Sequence, residues 1–543
     1  MKSIAFLILV VFSFDSFSQQ NQQGQLEEAE IVIRKDRRIL LPPATRIFEK
    51  IPQLPLTEAT TEQTFSFRNF FLPLQPMVPT FRSARYVQNT KQSNILGNYV
   101  KLGYGNYGTP YAEGYFGTKR NEQYLINFHA RHRSSNVGPV FDENSGNSDT
   151  EASIAAKFFS KINKVSGALN YRSQTQYFYG YNPTLELSPE DIKQRYNRFN
   201  ADVKIENADK EKNFDYHFKT DWRFLSDNFD AQESKFNFDL GGFYKLNSNI
   251  RLSMGLFASL ATLDGVEEVN RNFLNLKPRL EYNKDAFSLK VGANFAGDNE
   301  FNSGISFYPV LKVGYEVNNG LKVFAGYEGD LTFNSLESSV DINPWVQQEL
   351  DLRNTEKSSD VYAGLNFNIL SGLRLSSGIS YASFNNMQFF TNSAADSTRF
   401  NALYDGGSTD RFNIYSVLNY ENSSALRSSL RIDFFDYSLS TLAEAWHRPD
   451  LKVSWNSTVF LLERLSFTID FYMMEGLNGL NGETGESFAL DSITDLNLGG
   501  NYNLNERFGV FLQLNNLFGN EYEHFLNYPS RGLQVLGGLS ISF

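Results

Sequence analysis

The sequence predicts an all-β, transmembrane antiparallel barrel of about 22 strands, and three observations support this fold class. Apolar and polar residues alternate with period two in many successive segments between residue 95 and the last residue, Phe543. The connections between these segments are short on one side and mostly long on the other. After the N-terminus, no apolar run reaches the roughly 18 residues of a transmembrane helix.

The first 18 residues predict a secretory signal peptide. Lys2 supplies a positive charge, residues 4–14 are largely apolar, and two serines flank Phe17 ahead of Gln19. An apolar run of eleven residues is too short to span a bilayer, so it is typical of a cleaved signal. We expect the signal to be cleaved near Ser18/Gln19 during export, and the mature protein to be located in the outer membrane of a Gram-negative bacterium.

The segment Gln19–Asn94 differs in composition from the rest of the chain. It contains seven of the 16 prolines and a single glycine. Proline fixes φ and removes a hydrogen-bond donor, so this stretch is expected to be extended or irregular rather than part of a sheet. We interpret it as a periplasmic or lumen-lying arm that precedes a barrel domain spanning residues 95–543.

Twenty-two strands are predicted from residue 95 onward, and an even number returns the C-terminus to the side of the barrel where the N-terminus lies. The predicted strands are 95–105, 109–119, 122–134, 149–161, 164–178, 194–207, 213–226, 232–246, 249–262, 271–283, 286–298, 303–316, 320–333, 357–370, 373–384, 409–421, 424–437, 450–460, 464–474, 490–503, 506–516 and 531–543.

The connections test this count independently. Even-numbered strands are followed by turns of two to five residues, whereas most odd-numbered strands are followed by long loops. In outer-membrane barrels short turns face the periplasm and long loops face the exterior. A soluble β-sandwich or propeller, the alternative fold, would not predict this alternation.

The two faces of each predicted strand agree with a barrel. In strand 424–437, Leu430 and Ile432 alternate with Arg431 and Asp433. An arginine on the lipid face near the midplane costs roughly 2–4 kcal/mol, so the charged residues are expected to face the lumen. Aromatic residues near strand ends suit the interfacial girdles of a barrel, and some of them are alternatively expected to line a ligand-binding lumen.

Composition excludes several classes of protein. The net charge of −11 argues against nucleic-acid binding, which requires a basic face. The absence of cysteine excludes disulfides, thiolate metal sites and a lipoprotein anchor. Because a transmembrane barrel has an apolar outer face, outer-membrane lipid is the first expected partner.

The C-terminal 29 residues, Asn515–Phe543, resemble the last two strands of TonB-dependent receptors. In that family a strand ends in an Asn-Leu-Phe turn, a tyrosine follows, and a Tyr-Pro-x-Arg-Gly-like loop leads into a closing strand with a terminal phenylalanine. The corresponding residues here are Asn516, Leu517, Phe518, Tyr522, Tyr528, Pro529, Arg531, Gly532 and Phe543. Twenty-two strands is also the size of plugged outer-membrane transporters.

The resemblance implies several partners and sites. Phe543 would be the C-terminal signal read by the barrel-assembly machinery during insertion. The segment Glu30, Ile31, Val32 and Ile33 resembles a TonB box, which would make TonB, or another periplasmic or surface protein, a partner. The family's globular plug, however, is much longer than the 76 residues of Gln19–Asn94, so the plug is expected to be missing. The arm, the long loops or another protein would then fill the lumen.

No catalytic, cofactor-binding or metal-binding residues are predicted, and the protein is not expected to be an enzyme. His129 and His132 lie three apart on one strand and therefore point to opposite faces. His217, His447 and His524 have no ligand spacing. The acidic loop Asp142–Asp149 departs from the EF-hand pattern, so a solvated exterior loop is favoured over a calcium site.

Two functions remain open. The first is a TonB-dependent-receptor-like barrel that transports a bulky solute across the outer membrane. The second is a plugless barrel that serves as a subunit of an outer-membrane protein or lipoprotein assembly, or of another envelope complex. Nothing in the sequence identifies the solute or the ligand-binding residues.

Overall fold

One closed antiparallel sheet of 22 strands dominates the computed structural model, which describes residues 97–118, 121, 123–209, 212–265, 267–299, 304–422, 425–461 and 464–543. The sheet closes because β1 (Tyr99–Gly105) pairs on one side with β2 (Thr109–Gly117) and on the other with the last strand, β26 (Gln534–Ser542). Every neighbouring pair is antiparallel, as the predicted fold class requires.

The remaining barrel strands follow one another around the ring in chain order. They are β3 (Tyr124–Ser135), β4 (Asn147–Phe159), β5 (Asn163–Tyr177), β6 (Lys193–Asn207), β7 (Phe214–Ser226), β8 (Gln232–Lys245), β9 (Ile250–Asp264), β10 (Val269–Lys284), β11 (Phe287–Asp298), β12 (Ser306–Glu316), β13 (Leu321–Thr332), β14 (Thr355–Leu370), β15 (Leu373–Asn385), β18 (Ser408–Asn422), β19 (Leu426–Ser438), β20 (Leu451–Phe460), β21 (Leu465–Glu475), β24 (Ile493–Asn503) and β25 (Phe508–Asn515).

Further short elements lie within the long loops. Two hairpins are formed by β16 (Gln388–Asn392) with β17 (Phe400–Tyr404) and by β22 (Asn478–Leu480) with β23 (Ser487–Ala489). A 3-10 helix covers Asp142–Ser145, and a seven-residue helix, α1, covers Leu336–Ile342. Within the described ranges, no helix has the length and apolar character needed to cross a membrane.

The predicted strands are confirmed in number and order, with small differences at their ends. The largest is at β1, which begins at Tyr99 rather than at 95. Among the last strands, β24 begins at Ile493 rather than at 490 and β26 at Gln534 rather than at 531. Side chains hold the chain before β26 as a loop: Asn516 Nδ2 donates to the Arg531 carbonyl at 2.7 Å and Asn106 Nδ2 to the Leu533 carbonyl at 2.8 Å. At both carbonyls the donor is a side-chain amide rather than a backbone N–H of a neighbouring strand.

The predicted alternation of faces is also confirmed. Leu539, Ile541 and Ile379 are large apolar residues exposed on the outside of the barrel, where they form part of the lipid-facing surface. Charged residues point inward and pair with one another. For example, Arg431 and Asp433 lie two positions apart on the same face of β19, with 2.5 Å between Arg431 Nε and Asp433 Oδ2. The short turns lie at the end where the described chain begins, so this end is periplasmic and the long loops are extracellular.

Candidate binding site at the barrel wall and extracellular cap

The long extracellular loops meet over the mouth of the barrel, and we call this assembly the extracellular cap. Its loops span residues 136–146, 178–192, 227–231, 333–354, 386–407, 439–450, 476–492 and 516–533. Apolar side chains from these loops are buried in two clusters. Because the loops leave the barrel at points spread around the ring, their mutual contact covers the mouth.

Trp345 is partly buried and packs against the larger cluster. Its ring centroid is 4.1 Å from that of Tyr528 and 5.8 Å from that of Tyr179. Its indole N–H donates to the carbonyl of Tyr177 at 3.1 Å. Aromatic pairs at these distances add to the stability of an already buried cluster. Three loops from separate parts of the ring are thereby joined through one side chain.

His447 joins its own loop to three other segments of the cap. Its backbone N–H donates to the Asn478 carbonyl at 2.8 Å. Nδ1 lies 2.8 Å from the Phe390 carbonyl, and Nε2 lies 3.2 Å from the amide nitrogen of Leu526. These partners assign the proton to Nδ1, because a carbonyl only accepts and an amide N–H only donates. The ring is a neutral connector between loops.

Burial keeps this histidine and a neighbouring one uncharged. Burial lowers the pKa of His447 to about 4, and the adjacent His524 adds to the effect. Burial likewise lowers the pKa of His524 to about 4, helped by the positive charges of Lys452 and Arg448. Both rings lie against Phe525, at centroid distances of 5.1 Å and 4.7 Å. Two neutral imidazoles therefore pack against the aromatic core of the cap.

Helix α1 attaches the cap to the inner wall of the barrel. Ser335 and Ser338 form a capping box at its start. The carboxylate of Glu233, on β8, accepts hydrogen bonds from the amides of Leu336 at 2.9 Å and Glu337 at 3.1 Å. A carboxylate in this position satisfies free N–H groups and complements the helix dipole. The helix is thus fixed against the lumen face of the wall.

The wall beneath α1 carries four basic side chains on adjacent strands, which we call the basic row: Arg172, Arg198, Arg223 and Lys235. Arg172 is directly opposite Arg198 in the β5–β6 register, and Arg223 is directly opposite Lys235 in the β7–β8 register. Arg223 pairs with Asn200, which places it diagonally across from Arg198. Side chains in such positions are close neighbours on one face of a sheet.

The acidic residues of α1 neutralise part of the basic row. Asp341 forms an ion pair with Arg198, and Glu337 accepts from Lys235 Nζ at 2.7 Å and lies 3.6 Å from Arg223. Burial alone raises the pKa of Glu337, but the charges of Lys235 and Arg223 outweigh it and hold that pKa below the ordinary value. Glu337 is therefore ionised, and the contact between cap and wall is electrostatic.

Elsewhere the lumen wall contains a second, half-buried ionic cluster. Glu113 accepts from the hydroxyls of Tyr99 at 2.8 Å and Tyr111 at 2.7 Å, and it lies 3.6 Å from Lys101 Nζ. His129 Nε2 is 3.2 Å from the same carboxylate. These contacts satisfy the carboxylate fully, so they indicate a structural role.

The periplasmic part of the lumen is polar and more open. Two cavities of about 510 and 430 Å³ lie side by side on the wall, and Arg374 and Asn419 line both. Their linings are rich in amide and hydroxyl groups, such as Asn366 and Ser429, which hydrogen-bond to neighbouring side chains. This surface suits a polar rather than an apolar occupant.

The structure places some of the residues singled out in the sequence. Glu30, Ile31, Val32 and Ile33 lie outside the described residues, as does the arm Gln19–Asn94. Phe543 is described: its amide donates to the Asn98 carbonyl at 3.0 Å, and its exposed ring lies 6.1 Å from that of Phe116. This geometry seals the end of the β26–β1 junction.

The polar residues weighed as metal ligands have other contacts. Asp149 lies in β4 and pairs with Arg172 at 2.8 Å, and His132 Nδ1 is 2.7 Å from the Thr150 hydroxyl rather than near His129. His217 is 3.3 Å from Asp239. In the part of the chain that the structure describes, no three His, Cys, Asp or Glu side chains are grouped to hold a metal ion.

Sequence reasoning missed the cap core and the basic row. The cap aromatics lie in irregular loops hundreds of residues apart, where no periodicity identifies partners. The basic row was within reach, because its members fall on lumen-facing positions of predicted strands. Only the register between strands, however, shows that they are neighbours.

No protein-family model matches the sequence, and no curated protein matches it by sequence. Solved structures do match the fold. The pyoverdine outer-membrane receptor FpvA from Pseudomonas aeruginosa PAO1 superimposes with a TM-score of 0.61 at 11% identity, over 82% of this chain and 78% of that one.

Two further structures agree. The siderophore receptor PiuA from Acinetobacter baumannii gives a TM-score of 0.61 at 9% identity, over 82% of each chain. The FrpB iron transporter from Neisseria meningitidis gives 0.63 at 8% identity, over 82% of this chain and 81% of that one. The barrel is therefore TonB-dependent-receptor-like in fold, which confirms the resemblance of the C-terminal strands.

Proposed function

We propose that this protein is an outer-membrane barrel that takes up a bulky solute in a Gram-negative bacterium. The observation that carries the proposal is the fold shared with outer-membrane receptors for pyoverdine and other siderophores. A closed sheet of 22 strands encloses a lumen wide enough to hold a plug or a large solute. Its polar inner wall supports passage of a hydrophilic molecule.

The extracellular cap determines how such a solute enters. The apolar core around Trp345 spans the mouth, so the solute has to bind on the outside of the cap or displace its loops. Loops that close over a bound molecule hold it in the site and separate it from the surrounding water. In this proposal the structure represents the closed state, and uptake requires the cap to open.

Energy for the cycle would come from the periplasm. In our proposal residues Ile31–Ile33 engage TonB, and the arm Gln19–Asn94 is periplasmic or lies in the lumen. Recognition of an extended segment by strand addition requires backbone N–H groups. We expect Val32→Pro to abolish energy-dependent uptake, because proline removes one of these donors.

Val87→Pro, in the same arm but outside the TonB-box-like segment, is the matched control. Uptake would be measured in cells with and without a protonophore. Uptake that persists in Val32→Pro cells would retire the TonB assignment, and the absence of any energy-dependent uptake in wild-type cells would retire transport itself.

A second candidate function is a subunit of an envelope assembly, and the packed cap favours it. A barrel whose mouth is covered by an apolar core can serve as a rigid platform without conducting anything. Purification of the full chain in a gentle detergent separates the two. A partner protein present in constant stoichiometry, together with no uptake, would favour the assembly subunit, with such a partner at the extracellular or periplasmic end.

A further inference from the structure

We propose that the basic row is a binding site for a solute carrying two or more carboxylate groups, and that Glu337 and Asp341 of α1 occupy it while the cap is closed. The proposal rests on the proposed uptake function, since it names the class of solute. It assigns α1 the role of an internal competitor for the site.

The composition of the wall is the first observation. Like charges directly opposite one another in a sheet are destabilising, yet Arg172 faces Arg198 and Arg223 faces Lys235. All four side chains lie in the extracellular half of the lumen, close to the strand ends that lead into the cap. A cluster of this kind attracts an anion from the cap side.

The acids of the wall itself do not neutralise the whole row. Asp149 pairs with Arg172 at 2.8 Å, Asp221 with Arg223 at 2.9 Å, and Glu233 with Lys235 at 3.2 Å. Arg198, the remaining member, pairs only with Asp341 of α1 among the described residues. Removing the helix would therefore leave Arg198 without a counter-ion.

Arg198 also retains unused hydrogen-bonding capacity. Its side chain is 12% exposed, and its Nε and Nη2 atoms are buried without a hydrogen-bond partner among the described residues. A guanidinium presents its donors as a planar fork that matches both oxygens of one carboxylate. Asp341 fills this fork incompletely, so a free carboxylate with fewer geometric constraints has more bonds to gain.

The helix presents its acids in the manner of a dicarboxylate. Glu337 and Asp341 are four residues apart and therefore lie on the same side of α1, one turn from each other. A helix of seven residues has little stability of its own, so its position depends on these wall contacts and on the buried Leu336 and Val340. A solute that replaces the two carboxylates would release the helix and loosen the cap above it.

The test uses benzene-1,3,5-tricarboxylate as the probe and its neutral triamide as the control. Binding to the full chain in detergent is measured by calorimetry, in sodium chloride of matched ionic strength. We expect Glu337→Gln/Asp341→Asn to bind the tricarboxylate at least tenfold more tightly than wild type. Arg198→Ala in that background should remove the gain.

Matched variants keep the result specific. Asp351→Asn removes a charge from the same loop, and among the described residues the Asp351 carboxylate forms its ion pair with Arg353 of that loop. Arg195→Ala removes a charge from the opposite face of β6 to Arg198. Neither should change binding. The proposal is overturned if the double variant binds the tricarboxylate no better than wild type, or if the triamide binds equally well.

Heat-modifiable migration on a gel checks that each barrel is folded. If the double variant does not fold, the site is tested instead by hydrogen exchange of residues 336–342 in the wild-type protein. The tricarboxylate should speed exchange of these residues, and an unchanged exchange rate would overturn the proposal. These outcomes do not depend on transport. Binding of the tricarboxylate without any energy-dependent uptake would support the site and overturn the proposed function. Uptake without tricarboxylate binding would support the proposed function and overturn the site.

Discussion

The barrel wall and the extracellular cap are stabilised in different ways. The wall is a continuous ladder between neighbours in the chain, and it closes through seven residue pairs between β1 and β26. The described part of the cap has two short hairpins and two short helices, and it is joined by side chains such as Trp345, His447 and Phe525. The wall therefore tolerates loss of one side chain, whereas the cap depends on a few residues.

The largest expected difference comes from deleting a central cap aromatic. Phe525 is 4% exposed and lies against Trp345, Phe390 and Phe400. Phe525→Ala should destabilise the cap by about 3–5 kcal/mol, because it leaves a cavity among buried rings. Hydrogen exchange should accelerate in residues 386–407 and stay unchanged in the strands.

Phe488→Ala, in the same cap but 40% exposed, is the control and should have little effect. Equal exchange in both variants would show that the cap does not depend on its central aromatics, and the contrast with the wall would fail.

The second-largest effect is expected from a charge placed on the lipid-facing side of the wall. Ile379 lies in the middle of β15 and is 48% exposed on the outer face. Ile379→Arg should destabilise the barrel by about 2–4 kcal/mol, because it places a charge in the hydrocarbon. The measurement is the free energy of unfolding in urea with lipid vesicles.

Ser376→Arg, on the same strand but lining the lumen cavity of about 430 Å³, should cost far less. A similar cost for both substitutions would mean that the assigned faces of β15 are wrong.

The smallest effect distinguishes the two regions by pH. The unfolded chain binds protons at its histidines near pH 6.5, whereas in the cap the pKa of His447 and of His524 is about 4. Cap stability is therefore complete above about pH 6.5 and falls as the pH drops toward 4. Between pH 7.5 and 5.5 the expected loss is about 1–2 kcal/mol per histidine.

Hydrogen exchange of the cap at the two pH values measures this loss. Burial raises the pKa of Glu523, which contributes with the opposite sign, so the histidine part is read from the difference between wild type and His447→Gln. Identical pH profiles for the two proteins would contradict the assignment.

The same division separates what the sequence predicts from what it does not. Strands such as β19 are predictable because each residue's environment follows from its parity: Leu430, directly opposite the exposed Trp455, faces lipid, and Arg431 faces the lumen. The lengths of the connections then identify which end of the barrel is periplasmic and which is extracellular. In the candidate site, Arg198 was identifiable as lumen-facing from parity alone.

The remainder of the site depends on long-range geometry. Arg198 is 143 residues from Asp341, and nothing periodic connects a wall strand to α1. The short helix itself was missed because Leu336–Ile342 is too short to show a helical period. Contacts between irregular loops follow from closure of the barrel, which no local pattern encodes.

The topology of the cap has a consequence for the order of folding. Tyr179, Trp345 and Tyr528 come together from positions that are far apart in the chain, so each contact closes a very long loop. Strand pairing between β1 and β26 brings the loops around the ring within reach of one another. Cap assembly is therefore a late kinetic step that reports completion of the barrel, and a barrel arrested before its last strand pairs would expose these aromatic loops to proteases.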